Sequence, residues 1–436
     1  MPWLESLSPV RMERVALVAP QPCCRGMLVA VARSGAVELD LPYTPGAGPA
    51  ELDRAADSAI VSGPIAGFVG WAPVRELSEL TATLAELGTA VVPLARPRGV
   101  QPPTLLTTAG RSHGSRMLVD TYGTVPYADV DPSRLAGLAY VLMFGMMFGD
   151  VGQGALLLLA GLLLRSARIR RLEKLTKIWL FVAGAGLTSM LFGVLYGEAF
   201  GPTGLVPVLW LEPLSSPIPL MLTALMFGAF LLAIAYVLGT INRVREGGWA
   251  YALYARAGVA GSLLFVAGGL LVWGLLASIA PLVTGAAVLV VAALAFIFIG
   301  LFAEAGGGGT GVVQASVELV DTVIRLGSNV VSFARLAVFG LMHAALMMVV
   351  WNGTTALWAP GWQALVASLV FVLGNALAFA LEALVAGIQA LRLEYYELFS
   401  RVFLSEGRPF RPWAPALGAG PTSSIHSVGS TEGRHS

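Results

Sequence analysis

The sequence predicts a predominantly α-helical polytopic membrane protein with about eight transmembrane helices behind a small α/β cytoplasmic domain. The first two helices are expected to be short and paired as a hairpin, the last two long and tilted. Three observations carry this reading. Of 436 residues, 56% are hydrophobic and 12% charged, against about 45–50% and 25% in an average soluble domain. After Arg134 the chain runs through long apolar segments, most of them above the ~20 residues that cross a bilayer as a helix. Basic residues cluster after the first, third and last of these runs, whereas the loops Gly201–Pro217, Pro281 and its neighbours, and Asn352–Gly361 hold no Lys or Arg.

Residues 1–130 are of mixed composition. Short apolar runs at Val15–Val18 and Met27–Val31 suit strands, and Leu77, Leu80, Leu84 and Leu87 fall at helical spacing. The N-terminus lacks a basic start, an apolar core and a small-residue cleavage site, so no secretory signal is read there. Frequent Pro and Gly between Gly88 and Asp131 predict an extended connector. Residues 131–405 are assigned to the membrane and 406–436 to a cytoplasmic tail, Gly/Ser/Pro-rich and largely disordered.

The apolar runs are Leu135–Leu164, Ile178–Phe200, Ile218–Ile241, Gly258–Ala280, Leu282–Ala303, about Val312 to Trp351 and about Trp362 to Leu391. Arg165, Arg168, Arg170, Arg171, Lys174 and Lys177 follow the first run; Arg243, Arg245 and Arg256 flank the loop after the third; Arg401, Arg408 and Arg411 follow the last. The positive-inside rule puts these loops in the cytoplasm. A cytoplasmic N-terminal domain then requires the first run to enter and leave on one side. The break needed for that hairpin lies at Gly149, Asp150 and Gly152, in the stretch GDVGQG, which is poor helix interior and good turn material. Asp150 reads better as a turn former bonding backbone N–H groups than as an ion site.

Composition also excludes functions. A net charge of +1 leaves no basic excess for DNA or RNA. The two cysteines, Cys23 and Cys24, are adjacent and read as ordinary thiols. Neither lysine, Lys174 or Lys177, follows a phosphate-binding glycine motif, so the chain is not expected to be catalytic alone. Gly306–Gly309 reads as a flexible hinge. No cofactor and no metal site is predicted.

Ionisable residues inside apolar spans are costly unless they face a partner or a wet cavity. Arg335 sits in apolar sequence with no acid within a turn. His343 lies about 80° round the helix from it and roughly 12 Å further along. On the last helix Glu382, Gln389 and Arg392 form one polar stripe. Structural alternatives stand beside the functional ones: Arg335 paired with a distant buried acid, His343 as a satisfied core histidine, Glu382 and Arg392 as a mutual tie. Asp321 and Arg325 are spaced as a local i, i+4 pair. Glu198 and Glu212, near the outer surface, could draw cations to a vestibule but read better as solvated loop residues.

Three segments carry a resemblance: YVLMFGMMFGDVGQG at 140–154, GSNVVSFARLAVFGLMHAAL at 327–346 and ALEALVAGIQALRLEYYELFSRVFLSEGRPFRP at 380–412. With PPTLL at 102–106 and LVDTYGTVPYADVDPS at 118–133, the chain resembles the membrane-embedded a subunit, or subunit I, of V-type and A-type rotary ATPases. The resemblance implies a stator subunit that forms two ion half-channels against a rotating proteolipid ring (c/K subunits). Arg335 then matches the arginine facing the ring carboxylates, Arg392 the second arginine, and Glu382, His343 and Gln389 polar positions along the ion path. Implied partners are the ring, peripheral-stalk and other rotary ATPase subunits, membrane lipids, and protons or Na⁺. The N-terminal domain departs from the family pattern, because no heptads for its coiled-coil arm occur before the membrane. Alternatives are a non-conducting assembly or scaffold paralogue and a stand-alone secondary transporter, the latter disfavoured by a single broken helix without repeats. The Ala, Gly and Arg bias with two lysines predicts a bacterial plasma membrane.

Overall fold

The computed structural model describes residues 8–46, 50–97, 100–106, 113–166, 175–255, 258–402 and 407–415. They fall into two compact units, one of residues 10–105 with the segment from Arg408, the other of residues 106–407 with residues before 10. Arg168, Arg170, Arg171, Lys174 and Arg256, on which part of the orientation reading rests, lie outside the described residues, as do residues 416–436 of the expected tail.

The first unit is an antiparallel sheet with helices. Its elements are β1 (Met12–Pro20), α1 (Cys24–Ser34), β2 (Glu38–Leu39), α2 (Glu51–Asp57), β3 (Ile60–Ser62), β4 (Ile65–Pro73), α3 (Leu77–Ala85) and β5 (Ala90–Leu94). The strands order as β2-β4-β1-β5, with β3 also pairing β4. Val15, Leu17 and Ala19 alternate inward along β1 and meet Leu80 and Leu84 of α3 in one core with Met27, Leu28 and Val31, which lie not in the expected strand but in helix α1, where their i, i+1, i+4 spacing puts them on one buried face. The C-terminal segment belongs to this unit. Thr104 forms a parallel bridge with Pro409, its N–H donating to the Arg408 carbonyl and its carbonyl accepting from the Phe410 N–H; Arg408 pairs with Glu38 at 3.1 Å, and Trp413 donates its backbone N–H to Val37 at 2.8 Å with its side chain buried in the same core.

The second unit is helical: α4 (His113–Tyr122), α5 (Ser133–Met147), α6 (Val151–Ser166), α7 (Trp179–Tyr196), α8 (Pro217–Tyr254), α9 (Val259–Leu276), α10 (Ala280–Glu304), α11 (Gly308–Ser332), α12 (Ala334–Leu357) and α13 (Trp362–Leu393). Among the described residues, six segments are long and apolar enough to cross a membrane. They include Gly308–Leu357, which joins α11 to α12, and Trp362–Val402; α5 and α6 are shorter apolar helices. At 1.5 Å per residue α5 and α6 are each about 22–24 Å long, below the ~30 Å of a hydrocarbon core.

These two short helices lie on either side of α7. Along α5 the contacts rise in step with α7, Tyr140 meeting Phe181 and Thr188 Oγ1 donating to the Val141 carbonyl at 2.6 Å. Along α6 they run the other way, Gly154 against Gly186 and Met190, then Gly161 against Ala183. The chain therefore reverses between Met147 and Val151. Small residues permit the close approach: a Cβ on Gly186 would lie 2.4 Å from the Leu158 nitrogen, and one on Gly193 2.4 Å from that of Val151.

The glycines of the break act differently from the sequence expectation. Gly149 and Gly152 do not take positive φ. They are small because a Cβ would sit 2.6 Å from the Tyr196 ring and 2.3 Å from that of Phe200. The conformational use of glycine falls instead between α10 and α11, where Gly306, Gly307 and Gly308 all take φ near +77°.

Candidate functional site

Arg335 is placed by the join of α11 and α12. Helix hydrogen bonding tightens there, with Phe333 donating to Val330 and Leu336 to Phe333. The Phe333 ring is fully buried against Gly228 of α8, where a Cβ would meet it at 2.1 Å. That seat fixes the rotation of the first turn of α12 and thus the guanidinium of Arg335. Its Nη1 is buried and makes no hydrogen bond among the described residues. Arg392 and Glu397 are its charged neighbours. Arg392 is exposed on α13 and forms no ion pair among the described residues, and the buried Oε1 of Gln389 is likewise without a partner. No tie between Glu382 and Arg392 is formed.

The last helix leaves regular α geometry just past Arg392, in a π-turn over Glu394–Phe399. Such insertions recur at functional sites. Glu394 and Glu397 are both buried there. With its amide oriented to satisfy both neighbours, Asn329 of α11 donates to Glu397 at 2.9 Å and accepts from Arg401, and Arg401 also lies over the Tyr236 ring.

About two helical turns from Arg335 a second polar group collects. His343, 2% exposed, approaches Glu382 through Nδ1 at 2.5 Å and Glu198 through Nε2 at 3.8 Å. Asp150 joins them, fully buried, with one ligand atom from each of Asp150, Glu198 and His343 lying within 4.8 Å of the others. Asp150 also performs the turn-forming role read from its position. Its Oδ1 accepts from the Gln153 N–H at 2.8 Å, capping α6, and its Oδ2 accepts from the Gly201 N–H at 2.9 Å. Glu198 departs from the sequence expectation. It is 6% exposed, because its carbonyl accepts from the Val151 N–H and the Asp150–Gly201 bond folds its loop inward. Glu212 is exposed as expected, and the Asp321–Arg325 pair forms at 2.6 Å on the surface.

Sequence reasoning also missed Gln153 and Asn375. Their amides lie 3.4 Å apart, both residues are buried, and with Phe200, Phe371 and Phe379 they line a cleft of about 380 Å³. Buried polar atoms normally find partners. Here Gln153 Oε1, Glu198 Oε2, His343 Nε2 and Glu382 Oε1 about the histidine, and separately Arg335 Nη1, Gln389 Oε1 and Glu394 Oε2, have none among the described residues. Two polar regions in an apolar helix packing are what the arrangement offers chemically, one carboxylate-rich and one carrying a fixed cation.

Residues 62–206 match the V-type ATPase 116kDa subunit family. The chain is 29% identical to the A-type ATP synthase subunit I of Aeropyrum pernix over 347 residues, covering 68% of this chain and 49% of that protein. This chain is a relative of rotary-ATPase subunit I. The A-type ATP synthase subunit I of Halobacterium salinarum is 28% identical over 72% of this chain and 51% of its own length. The V-type ATP synthase subunit I 2 of Treponema pallidum is 36% identical over 30% of this chain and 32% of its own. The chain thus spans about half the length of the subunit I relatives from Aeropyrum and Halobacterium. By its apolar segments the chain is a multi-pass helical protein.

Proposed function

We propose that this chain is the membrane stator of a rotary V/A-type ATPase or ATP synthase, coupling proton or Na⁺ movement to rotation of a proteolipid ring. The observation that carries the reading is Arg335, set in an apolar helix beside exposed Arg392, with its buried Nη1 unpartnered among the described residues. A guanidinium stays charged at any accessible pH, so a ring carboxylate passing it is held ionised and releases its ion. The two groups of unpartnered polar atoms, one about Arg335 and one about His343, then serve as the inner ends of two aqueous half-channels. In this reading Glu382 and Gln389 line the route, and the long segments Gly308–Leu357 and Trp362–Val402 face the ring. Peripheral-stalk subunits and membrane lipids complete its surroundings, in the plasma membrane with both termini cytoplasmic.

ATP-driven ion pumping in vesicles holding the complete complex tests the reading, with pH and Na⁺ followed together. Arg335→Ala in a complex that still assembles is expected to abolish pumping, and the ion that stops moving identifies the coupling ion. Undiminished pumping would leave a scaffold subunit.

A further inference from the structure

The sequence predicts no metal site, yet the group around His343 has the donor set of one. We propose that His343, Glu198 and Asp150 bind a single divalent transition-metal ion of the Zn²⁺ class, with Glu382 orienting the histidine. Three different elements supply the donors: α12, the loop after α7, and the turn between α5 and α6. Zinc takes His nitrogen and carboxylate oxygen at about 2.0–2.2 Å, which sets tetrahedral ligand atoms about 3.4 Å apart. His343 Nε2 and Glu198 Oε2 stand at 3.8 Å, and all three ligand atoms lie within 4.8 Å of one another. Closure on an ion needs side-chain movements of a few tenths of an ångström to about 1 Å.

A second observation is independent of this cluster of acids. His343 Nε2 and Glu198 Oε2 belong to side chains more than nine-tenths buried, face each other, and have no hydrogen-bond partner among the described residues. In the neutral ring Glu382 accepts the Nδ1 proton at 2.5 Å, and Nε2 then presents its lone pair to the Glu198 oxygen. Two lone pairs facing each other in an apolar interior require a cation between them, a proton or a metal ion. The Glu382–imidazole pair is also the carboxylate–histidine arrangement that fixes tautomer and ring plane in zinc sites. Asp150 keeps lone pairs for an ion while accepting from Gln153 and Gly201, since a carboxylate offers about four acceptor positions.

Binding of the metal does not depend on the proposed function, whereas its consequence, arrest of ion flow by an ion lodged in a half-channel, rests on it. The experiment titrates the untagged, full-length chain in detergent micelles with Zn²⁺ alone, reading affinity by calorimetry and the ligand shell by zinc X-ray absorption. One Zn²⁺ per chain with one imidazole and oxygen neighbours is expected. Glu198→Gln and His343→Ala should each weaken binding at least tenfold, Glu382→Gln tenfold to a hundredfold through orientation, and Glu304→Gln not at all. An oxygen-only shell, or unchanged affinity in both Glu198→Gln and His343→Ala with near-native melting, overturns the site. Because this readout involves no pumping, its failure is separable from a failure of the ion-path reading, which Arg335→Ala tests.

Discussion

His343 of α12 and Glu382 of α13 meet at 2.5 Å, a bond between adjacent helices in which both partners are mostly buried. A buried hydrogen bond to a carboxylate contributes through its geometry, and removing one partner strands the other. Glu382→Gln and His343→Ala are therefore expected to show strong coupling. A double-mutant cycle on thermal unfolding in detergent should give an interaction of about 1–3 kcal/mol, the range for residues in direct contact. Additive effects would mean that the two side chains do not meet in the folded protein.

The α6–α7 seam predicts a sharp contrast among glycines. Gly193→Ala drives a methyl group into the Val151 backbone, and Gly186→Ala drives one into that of Leu158, where neither neighbour is a side chain able to turn away. Each is expected to lower stability by about 1–3 kcal/mol, the usual range for overpacking. Gly268→Ala on α9 meets nothing within 4 Å, and with the better helix propensity of alanine it should be neutral or stabilising by up to about 1 kcal/mol. Melting temperatures of the three variants in one detergent check the order.

Asp129, in the connector before α5, gives a pH-dependent prediction. It is fully buried, and burial, then the Glu246 carboxylate beside it, push it up to about 7 despite Arg243 and Arg245 nearby. Between its unfolded value near 4 and that raised value, the folded chain holds a proton that the unfolded chain has lost. This group's contribution to stability therefore falls as pH rises through that window and is fully lost above it. Asp129→Asn, neutral throughout, is expected to melt a few degrees above the wild type at pH 8 and level with it at pH 4. A gap that grows toward low pH would contradict the assignment.

How much of this was legible in the sequence depends on whether the cause was local. The break at Gly149–Asp150, the Asp321–Arg325 pair and the long final helices follow from composition and spacing, and the chain takes those forms. The reason for Gly149 and Gly152 was not legible, because Tyr196 and Phe200, the rings they make room for, are remote in sequence. Glu198 read as a solvated loop residue for the same reason. What buries it is the bond from Gly201 to Asp150, between a loop and a turn that only the fold brings together. His343 and Glu382 could each be singled out as polar residues in apolar spans, but their contact depends on the rotation of two helices. No pattern within either helix encodes that rotation.

Trp413 supplies the last prediction, within the sheet unit. Its side chain is 3% exposed in the core formed by β1, β4 and α1, although it lies more than 300 residues beyond them. The segment around it is held by Arg408 and the Arg411 N–H, both on Glu38, and by Trp413 on the Val37 carbonyl. Since Val37 immediately precedes the two-residue strand β2 and Glu38 is its first residue, the C-terminal segment secures the weakest strand of the sheet. Trp413→Ala removes a large buried ring, for which about 3–5 kcal/mol is typical. Hydrogen exchange should therefore quicken in residues 37–39 and 70–71, where β2 pairs with β4, and leave α12 and α13 at wild-type protection. Unchanged exchange at β2 would mean that the strand is held by β4 alone.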